Sequence, residues 1–219
     1  MNEKVSTHYD ADYFAWQSSI GEFGGWAEKS KFARFIKSDD DVLDFGCGGG
    51  YLLKALKCRR RVGIEINAAA INIAKQNGVE VYTRAEDVPD DYVDVIISNN
   101  ALEHVLQPLD TLKALYNKLR KNGKIIFIVP CESINLVYRP NDINHHLYTW
   151  NPMCLGNLFT EAGYSVLESK PYLHRWPPRL YKTIARMGGR AIFEIACRIY
   201  GYIDRRRSQV IIVAKNPDL

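Results

Sequence analysis

A glycine-rich turn flanked by two acidic side chains is the feature of this sequence with the clearest chemical meaning. The run DFGCGGG (44–50) follows a short apolar segment, and Glu65 comes nineteen residues after Gly46. Glycines in such a turn let backbone N–H groups approach a ligand without side-chain interference. A carboxylate at Glu65 can accept hydrogen bonds from both hydroxyls of a ribose. The pattern therefore predicts a nucleoside-type ligand.

The spacing of the glycines separates this turn from a dinucleotide-binding one. A G-x-G-x-x-G fingerprint that begins at Gly46 requires glycine or alanine at position 51, where Tyr51 stands. Asp44 lies two residues before the first glycine, and an acid inside the turn attracts a cationic amino-acid end and repels a pyrophosphate. The expected ligand combines a ribose with a positively charged tail, and S-adenosylmethionine fits that description.

The elements that must position this turn alternate between apolar strands and helices. Predicted strands cover 42–45, 61–66, 79–83, 93–98, 124–129, 164–169 and 209–215, and predicted helices cover 51–56, 68–77, 109–119 and 152–162. This alternation indicates an α/β fold with a parallel, doubly wound sheet and helices on both faces. Ligands of such sheets bind beyond the carboxyl ends of the strands, which places the ends of the first, second and fourth strands at the site.

Five ordered segments between residues 39 and 130 resemble the motifs of class I S-adenosylmethionine-dependent methyltransferases: VLDFGCGGGYLL, VGIEIN, RAEDVP, DVIISNNALEHVLQP and LRKNGKIIFIVP. The likeness is greatest to the small-molecule branch that includes quinone-biosynthesis enzymes and methyltransferases of surface-glycan gene clusters. The runs YFAWQ (13–17) and HLYTW (146–150) also look like that group. The resemblance implies a Rossmann-like, mostly parallel sheet of seven strands with an antiparallel last strand.

The same resemblance implies the reaction and its reactants. S-adenosylmethionine would be the methyl donor, and S-adenosylhomocysteine would be the product. The acceptor would be a small molecule, such as a sugar or a quinone-like metabolite, methylated on oxygen or nitrogen. Gly46, Cys47 and Gly48 would line the methionine part of the donor, with Asp44 toward its ammonium group. Glu65 would bind the ribose hydroxyls.

Further donor contacts follow from the resemblance at the next two strand ends. Ile66 would cover one face of the adenine, and Ala85 and Glu86 would lie at the adenine edge. Arg84 departs from the family, which usually has an acid at this position, so an adenine contact by that side chain is not expected. Asn99 ends the fourth strand, where its backbone carbonyl can face the sulfonium.

Three histidines are the candidates for a catalytic base. His104 follows the fourth strand, and His145 and His146 lie in the loop after the fifth, where acceptor-binding residues are expected. A histidine near neutral pKa can accept the proton of an acceptor hydroxyl, although each of these could instead be structural. Some related methyltransferases carry an E-x-x-E-H metal-ligand set, but Asn100 replaces its first glutamate. No metal is therefore predicted.

Length and composition favour one globular domain over residues 1–219. The chain is 47% hydrophobic and 25% charged, and it has neither a signal-peptide pattern nor an apolar run long enough to span a membrane. Its five cysteines are scattered, which is typical of a reduced, cytoplasmic protein. An aromatic segment, 1–30, is interpreted as a lid over the donor in which Tyr13 and Gln17 take part.

Residues 173–207 are interpreted as a basic helical insertion between the last two strands. They contain nine Lys or Arg and two acidic residues, a net charge of +7 in a chain whose total is +4. Cations at 179, 182, 186 and 190 precede an apolar stripe at 192, 195, 199 and 203. Through 175–207 the protein could contact an anionic membrane surface or a phosphorylated acceptor, or the insertion could be a solvated cover on the sheet. No nucleic-acid partner is expected, and the oligomeric state is left open.

Two other functions are compatible with the same residues. An NAD-dependent nucleotide-sugar oxidoreductase shares the strand–glycine–helix arrangement, but Tyr51 and Asp44 disfavour it. A protein that binds S-adenosylmethionine without catalysis would have the same donor motifs.

Overall fold

The computed structural model of the chain describes residues 11–140 and 142–217, with side chains from residue 21 onward. Its centre is a seven-stranded sheet in the order β3-β2-β1-β4-β5-β7-β6. Only β7 is antiparallel to its neighbours. The strands are β1 (Asp41–Phe45), β2 (Arg60–Ile64), β3 (Glu80–Tyr82), β4 (Val93–Asn99), β5 (Leu119–Glu132), β6 (Ser165–Tyr172) and β7 (Arg207–Lys215). The predicted α/β class and the antiparallel last strand are confirmed.

Alternate side chains of the central strands enter two separate hydrophobic cores, because successive residues of a strand point to opposite faces. Leu43 and Ile96 pack on one face, whereas Val42 and Ile97 pack on the other. The first face is covered by α4 (Pro108–Tyr116) and α5 (Pro152–Glu161), and the second by α1 (Ala11–Phe32), α2 (Tyr51–Ala55) and α3 (Ala68–Gln76). Continuous apolar strands such as β4 are thus buried on both sides.

The largest difference from the predicted boundaries lies between α4 and β5. The predicted helix 109–119 ends at Tyr116, and β5 begins at Leu119 instead of residue 124. β5 begins earlier than predicted because Leu119 pairs with Val93 at the start of β4. The register of the two strands then shifts between Val93 and Val95. Asn122, with a φ of 62°, lies inside the long strand and does not end the helix.

Helix α1 crosses the start of α2 at very short range. A Cβ atom on Gly25 would lie 2.3 Å from the carbonyl oxygen of Tyr51, so only glycine allows this approach. The helix is interrupted at Gly21, where φ is 31° and ψ is −117°. The packing places the second half of α1 next to the glycine-rich turn after β1.

Helix α6 (Tyr181–Ile203) occupies the predicted basic insertion and is interrupted at Gly189. Phe193 of α6 packs against Phe23 and Trp26 of α1 in a small third core. The Arg190 guanidinium lies 4.4 Å from the Trp26 ring centre, so Arg190 is not part of a solvent-facing cationic stripe with residues 179, 182 and 186. Among the described residues, no helix is both long and apolar enough to cross a bilayer.

Candidate active site

The glycine-rich turn and the carboxylate of Glu65 face each other at the carboxyl ends of β1 and β2. The backbone N–H of Gly48 donates to Oε2 of Glu65 at 2.8 Å. Oε1 accepts from the backbone N–H groups of Ile66 and Asn67 at 2.8 and 2.9 Å, which fixes the orientation of the carboxylate. Gly46 has a φ of 77°, and a Cβ on it would lie 2.5 Å from the Cβ of Ala101. The bend therefore requires glycine at that position.

Asp44 is a buried carboxyl group directly beneath the bend. Its side chain is 3% exposed, and burial together with the charge of Glu65 raises its pKa well above the ordinary value. A cation placed here would favour the ionised form and relieve the cost of burial. Burial also raises the pKa of the neighbouring Cys47 thiol, which makes it a poor nucleophile. The site is suited to the positively charged end of a ligand.

A cavity of about 500 Å³ opens from this bend toward the ends of β4 and β5. Seven predicted site residues line it: Asp44, Gly46, Cys47, Gly48, Asn99, His104 and His146. Glu65 contacts this wall through the N–H of Gly48, whereas Ile66, Ala85, Glu86 and His145 are not part of it. Ile66 is 43% exposed, Ala85 is buried at the start of a 3-10 helix (Ala85–Asp87), and Glu86 forms an exposed ion pair with Arg84. Tyr13 and Gln17 lie outside the residues whose side chains the structure describes.

The far end of the cavity holds two histidines and two glutamates. Glu103 follows β4 in a 3-10 helix (Leu102–His104) and is fully buried. The carboxylate oxygens of Glu103 have no hydrogen-bond partner within the described chain, and burial raises its pKa to about 8, with Glu132 adding to the effect. The Nε2 atoms of His104 and His146 lie 3.8 and 3.9 Å from Oε1 of Glu103.

His146 combines a position on the cavity wall with a neutral imidazole. Burial lowers its pKa below the ordinary value, although the adjacent Glu132 acts in the opposite direction. Its Nδ1 atom lies 3.3 Å from Oε1 of Glu132. A carboxylate at Nδ1 can orient the ring and stabilise the imidazolium that forms when Nε2 accepts a proton. His145 is exposed and is not part of the wall. Of the two adjacent histidines, His146 is therefore the better candidate for a catalytic base.

The loop that carries His146 is attached to the ends of two strands. The backbone N–H groups of Leu147 and Tyr148 both donate to the carbonyl of Glu103, at 3.0 and 3.3 Å. The N–H of Glu132 donates to the hydroxyl of Thr149 at 2.7 Å. The HLYTW run (146–150) thus joins Glu103, which follows β4, to Glu132 at the end of β5. The part of the cavity that contains these residues and the two histidines is called the acceptor end below.

Two features of the cavity had no signal in the sequence. Glu132 lies at the end of β5. It contacts His146 only because the loop after β5 folds back toward the end of that strand. Lys31 of α1 is 4% exposed, pairs with Glu28, and places Nζ 3.3 Å from both Oδ1 of Asn99 and Oε1 of Gln209. Residues from α1, β4 and β7 meet there, which no local pattern predicts.

One group of residues at the acceptor end is also spaced closely enough to share a cation. One ligand atom from each of Glu103, His104 and His146 lies within 4.8 Å of the others. A buried carboxylate beside two imidazoles is a donor set that Zn²⁺ or another transition metal accepts. The same three groups can equally exchange a proton with an acceptor hydroxyl.

A mostly parallel sheet in the order 3-2-1-4-5-7-6, with a glycine bend and an acid at the ends of β1 and β2, defines the Rossmann-like class of nucleoside-binding domains. Within that class, a methyltransferase-domain family matches residues 20–169. The chain belongs to this methyltransferase family, and its ordered motifs are those of the class I S-adenosylmethionine-dependent enzymes.

Two relatives each match about two fifths of the chain. An uncharacterised methyltransferase of Schizosaccharomyces pombe is 33% identical over 109 residues, 44% of this chain and 41% of that protein. The ubiquinone biosynthesis O-methyltransferase of Pseudomonas putida is 35% identical over 99 residues, 39% of this chain and 42% of that protein. The matched region thus spans about two fifths of these relatives.

Solved structures extend the similarity of fold over nearly the whole chain. The methyltransferase in a complex with a methyltransferase activator from Haloferax volcanii has a TM-score of 0.70 at 19% identity, with 98% of both chains covered. A phosphoethanolamine N-methyltransferase of Haemonchus contortus, solved with S-adenosylmethionine, has a TM-score of 0.64 at 13% identity, with 88% of this chain and 53% of that chain covered. At such identities the likeness is one of fold.

Proposed function

We propose that this chain binds S-adenosylmethionine at the glycine bend and transfers its methyl group to an oxygen or nitrogen of a small-molecule acceptor. The observation that carries the proposal is the pair of carboxyl groups at the bend. Asp44 is buried with a raised pKa, and Glu65 is held by three backbone N–H groups. An ammonium-bearing nucleoside compensates both, whereas the pyrophosphate of NAD would add negative charge beside Asp44.

The two ends of the cavity have different roles in the proposed reaction: one binds the donor and the other the acceptor. S-adenosylmethionine supplies an activated methyl group on a sulfonium, and the residues of the chain hold it and the acceptor in position. Alignment of the reacting atoms can contribute about 7–11 kcal/mol to such a transfer. Asp44 and Glu65 bind the amino-acid end and the ribose, and Asn99, at the end of β4, presents its backbone carbonyl toward the sulfonium.

His146 is the base in this proposal. Its neutral imidazole accepts the proton that an acceptor hydroxyl loses, and Glu132 stabilises the resulting imidazolium at Nδ1. His104 and Glu103 shape the wall behind it and supply an alternative route for the same proton. An acceptor hydroxyl of a sugar or quinone-like metabolite suits this arrangement, and the ubiquinone biosynthesis O-methyltransferases among the relatives support an O-methyl product. A cytoplasmic location is part of the same proposal.

Calorimetric titration of the purified chain tests the donor assignment. We expect S-adenosylmethionine and S-adenosylhomocysteine to bind and NAD to give no heat of binding. Binding of NAD alone would replace the proposal with a hydride-transfer function. Incubation of a metabolite extract with methyl-labelled donor then identifies the acceptor, and donor binding without any labelled product across the extract would assign the chain to a non-catalytic, donor-binding role.

A further inference from the structure

Helix α6 presents a continuous apolar stripe to solvent. Ile192, Ile195, Ile199 and Ile203 recur at three or four residues and are 55%, 57%, 57% and 72% exposed. The inward face of the same helix is already occupied. Phe193 and Cys197 are buried against α1, and a Cβ on Gly201 would lie 2.8 Å from the backbone of Leu173. The isoleucines are therefore not hidden by any described part of the chain.

A second exposed apolar segment adjoins the end of this helix. Ile134, Val137 and Tyr138, in the loop after β5, are 98%, 82% and 87% exposed. The two segments meet where the backbone N–H of Ser133 donates to the carbonyl of Arg206 at 3.1 Å. Two exposed apolar segments so placed mark a contact site with another molecule or with a membrane.

The charges of the insertion that carries α6 are mostly positive, and the loop after β5 adds Arg139 and Asp142, which offset each other. The two acids of the insertion are already engaged: Glu194 contacts His174 at 3.2 Å, and Asp204 contacts Arg175 and Arg206. Arg179, Lys182, Arg186 and Arg198 are exposed and form no ion pair within the chain as described, and Arg205 is stacked on Tyr202. An exposed apolar stripe with a basic border matches an anionic lipid surface, where side chains insert between lipids and the cations meet headgroups.

A second copy of the chain fits this surface less well. In a symmetric dimer the same patch would face itself, which would bring the arginines of both copies together without acidic partners. A lipid surface, in contrast, supplies the opposite charge. The complementarity therefore selects an anionic bilayer as the occupant.

We propose that α6 and the loop after β5 dock the protein on an anionic membrane surface, so that the acceptor reaches the cavity from the lipid. The delivery of the acceptor from the lipid rests on the proposed methyl transfer. The geometry that links surface and cavity is the last pair in the β5–β7 ladder, Glu132 and Arg207. Both residues line the cavity, and the exposed apolar segments begin just beyond them. An amphipathic acceptor with its reactive ring at the headgroup level suits this arrangement.

Vesicle co-sedimentation with the full chain tests the docking. We expect binding to vesicles of phosphatidylcholine with phosphatidylglycerol and little binding to phosphatidylcholine alone, with affinity falling as salt is raised. The double variant Ile195→Ser, Ile199→Ser should reduce binding to the anionic vesicles by about tenfold or more, because two exposed apolar side chains leave the lipid. Arg186→Gln with Arg198→Gln should weaken binding most at low salt.

Met153→Ser is the matched control, because Met153 is 73% exposed on α5, away from the patch. Circular dichroism melts of all variants confirm folding. Failure of the wild-type chain to bind anionic vesicles, or binding unaffected by the isoleucine changes, would overturn the docking proposal. A dimer in sedimentation velocity that the isoleucine variant dissociates would assign the patch to a second copy. Retained S-adenosylhomocysteine binding in these experiments separates failure of docking from failure of the proposed function.

Discussion

The Nδ1 atom of His146 lies 3.3 Å from Oε1 of Glu132, although the two residues approach the cavity from different directions. Glu132 ends β5, and His146 returns from the loop that follows it. The other ring nitrogen, Nε2, lies 3.9 Å from Oε1 of the fully buried Glu103, so the imidazole stands between two carboxyl groups.

Replacing His146 with alanine should lower kcat by about 10²–10⁴-fold if it is the general base for a hydroxyl acceptor. The dissociation constant of S-adenosylhomocysteine should not change, because the residues proposed to bind it lie at the glycine bend. His145→Ala is the matched control, since that histidine is exposed and is not part of the cavity wall. Single-turnover rates and calorimetry measure both quantities. Loss of activity in the His145 variant alone would reverse the assignment.

The raised pKa of Glu103 predicts a pH-dependent stability. Its pKa is about 8 in the folded chain and about 4.5 in the unfolded chain, so the folded state retains a proton that the unfolded state releases. The stabilising contribution is complete below about pH 4.5 and is lost as the pH rises toward 8. Glu103→Gln should therefore raise Tm more at pH 8 than at pH 5. An equal effect at both pH values would show that Glu103 ionises normally.

Chelation distinguishes proton transfer from metal binding at Glu103, His104 and His146. If the three residues transfer a proton without a metal, dialysis against EDTA should leave turnover unchanged. A loss of activity that Zn²⁺, Mn²⁺ or Mg²⁺ restores would assign the group to a metal instead. His104→Ala should then abolish the restoration, which makes this variant the control for non-specific metal effects.

Glu65→Ala should weaken the binding of S-adenosylmethionine by about 10–100-fold, because hydrogen bonds to a charged group contribute about 1.5–3 kcal/mol. Calorimetry measures the change directly. Glu168→Ala is a suitable control, since this glutamate is partly exposed on β6 and pairs with Lys170. Unchanged donor affinity in the Glu65 variant would contradict a ribose-binding role.

Gly25→Ala should destabilise the chain by about 1–3 kcal/mol through overpacking, because its Cβ would lie 2.3 Å from the Tyr51 carbonyl oxygen. Gly156→Ala, in the interior of α5, provides the contrast. Its Cβ would meet nothing closer than 3.8 Å, so alanine should be neutral or stabilising by about 0.5–1 kcal/mol. Urea unfolding of the two variants measures both values. Equal stability of the two variants would show that α1 does not need the close approach.

The geometry of the glycine bend could be predicted from the sequence because its determinants are local. A strand, a glycine bend and an acid at the next strand end have a fixed spacing along the chain, and the Gly48–Glu65 hydrogen bond follows from it. The acceptor end depends on contacts between distant segments. Glu132 and Lys31 gain their positions from a returning loop and a packed helix, and Arg190 is turned inward by a tryptophan of α1. The early start of β5 likewise depends on its partner strand.

The contact between α1 and α6 connects the cavity with the surface that we propose docks on a membrane. Gly24 and Lys31 of α1 form part of the cavity wall, while Phe23 and Trp26 of the same helix pack against Phe193 of α6. A ligand that stabilises this helix pair at one site would therefore change the affinity of the other site. Thermodynamic linkage requires the two effects on affinity to be equal. If vesicles tighten donor binding by some factor, the donor must tighten vesicle binding by that same factor.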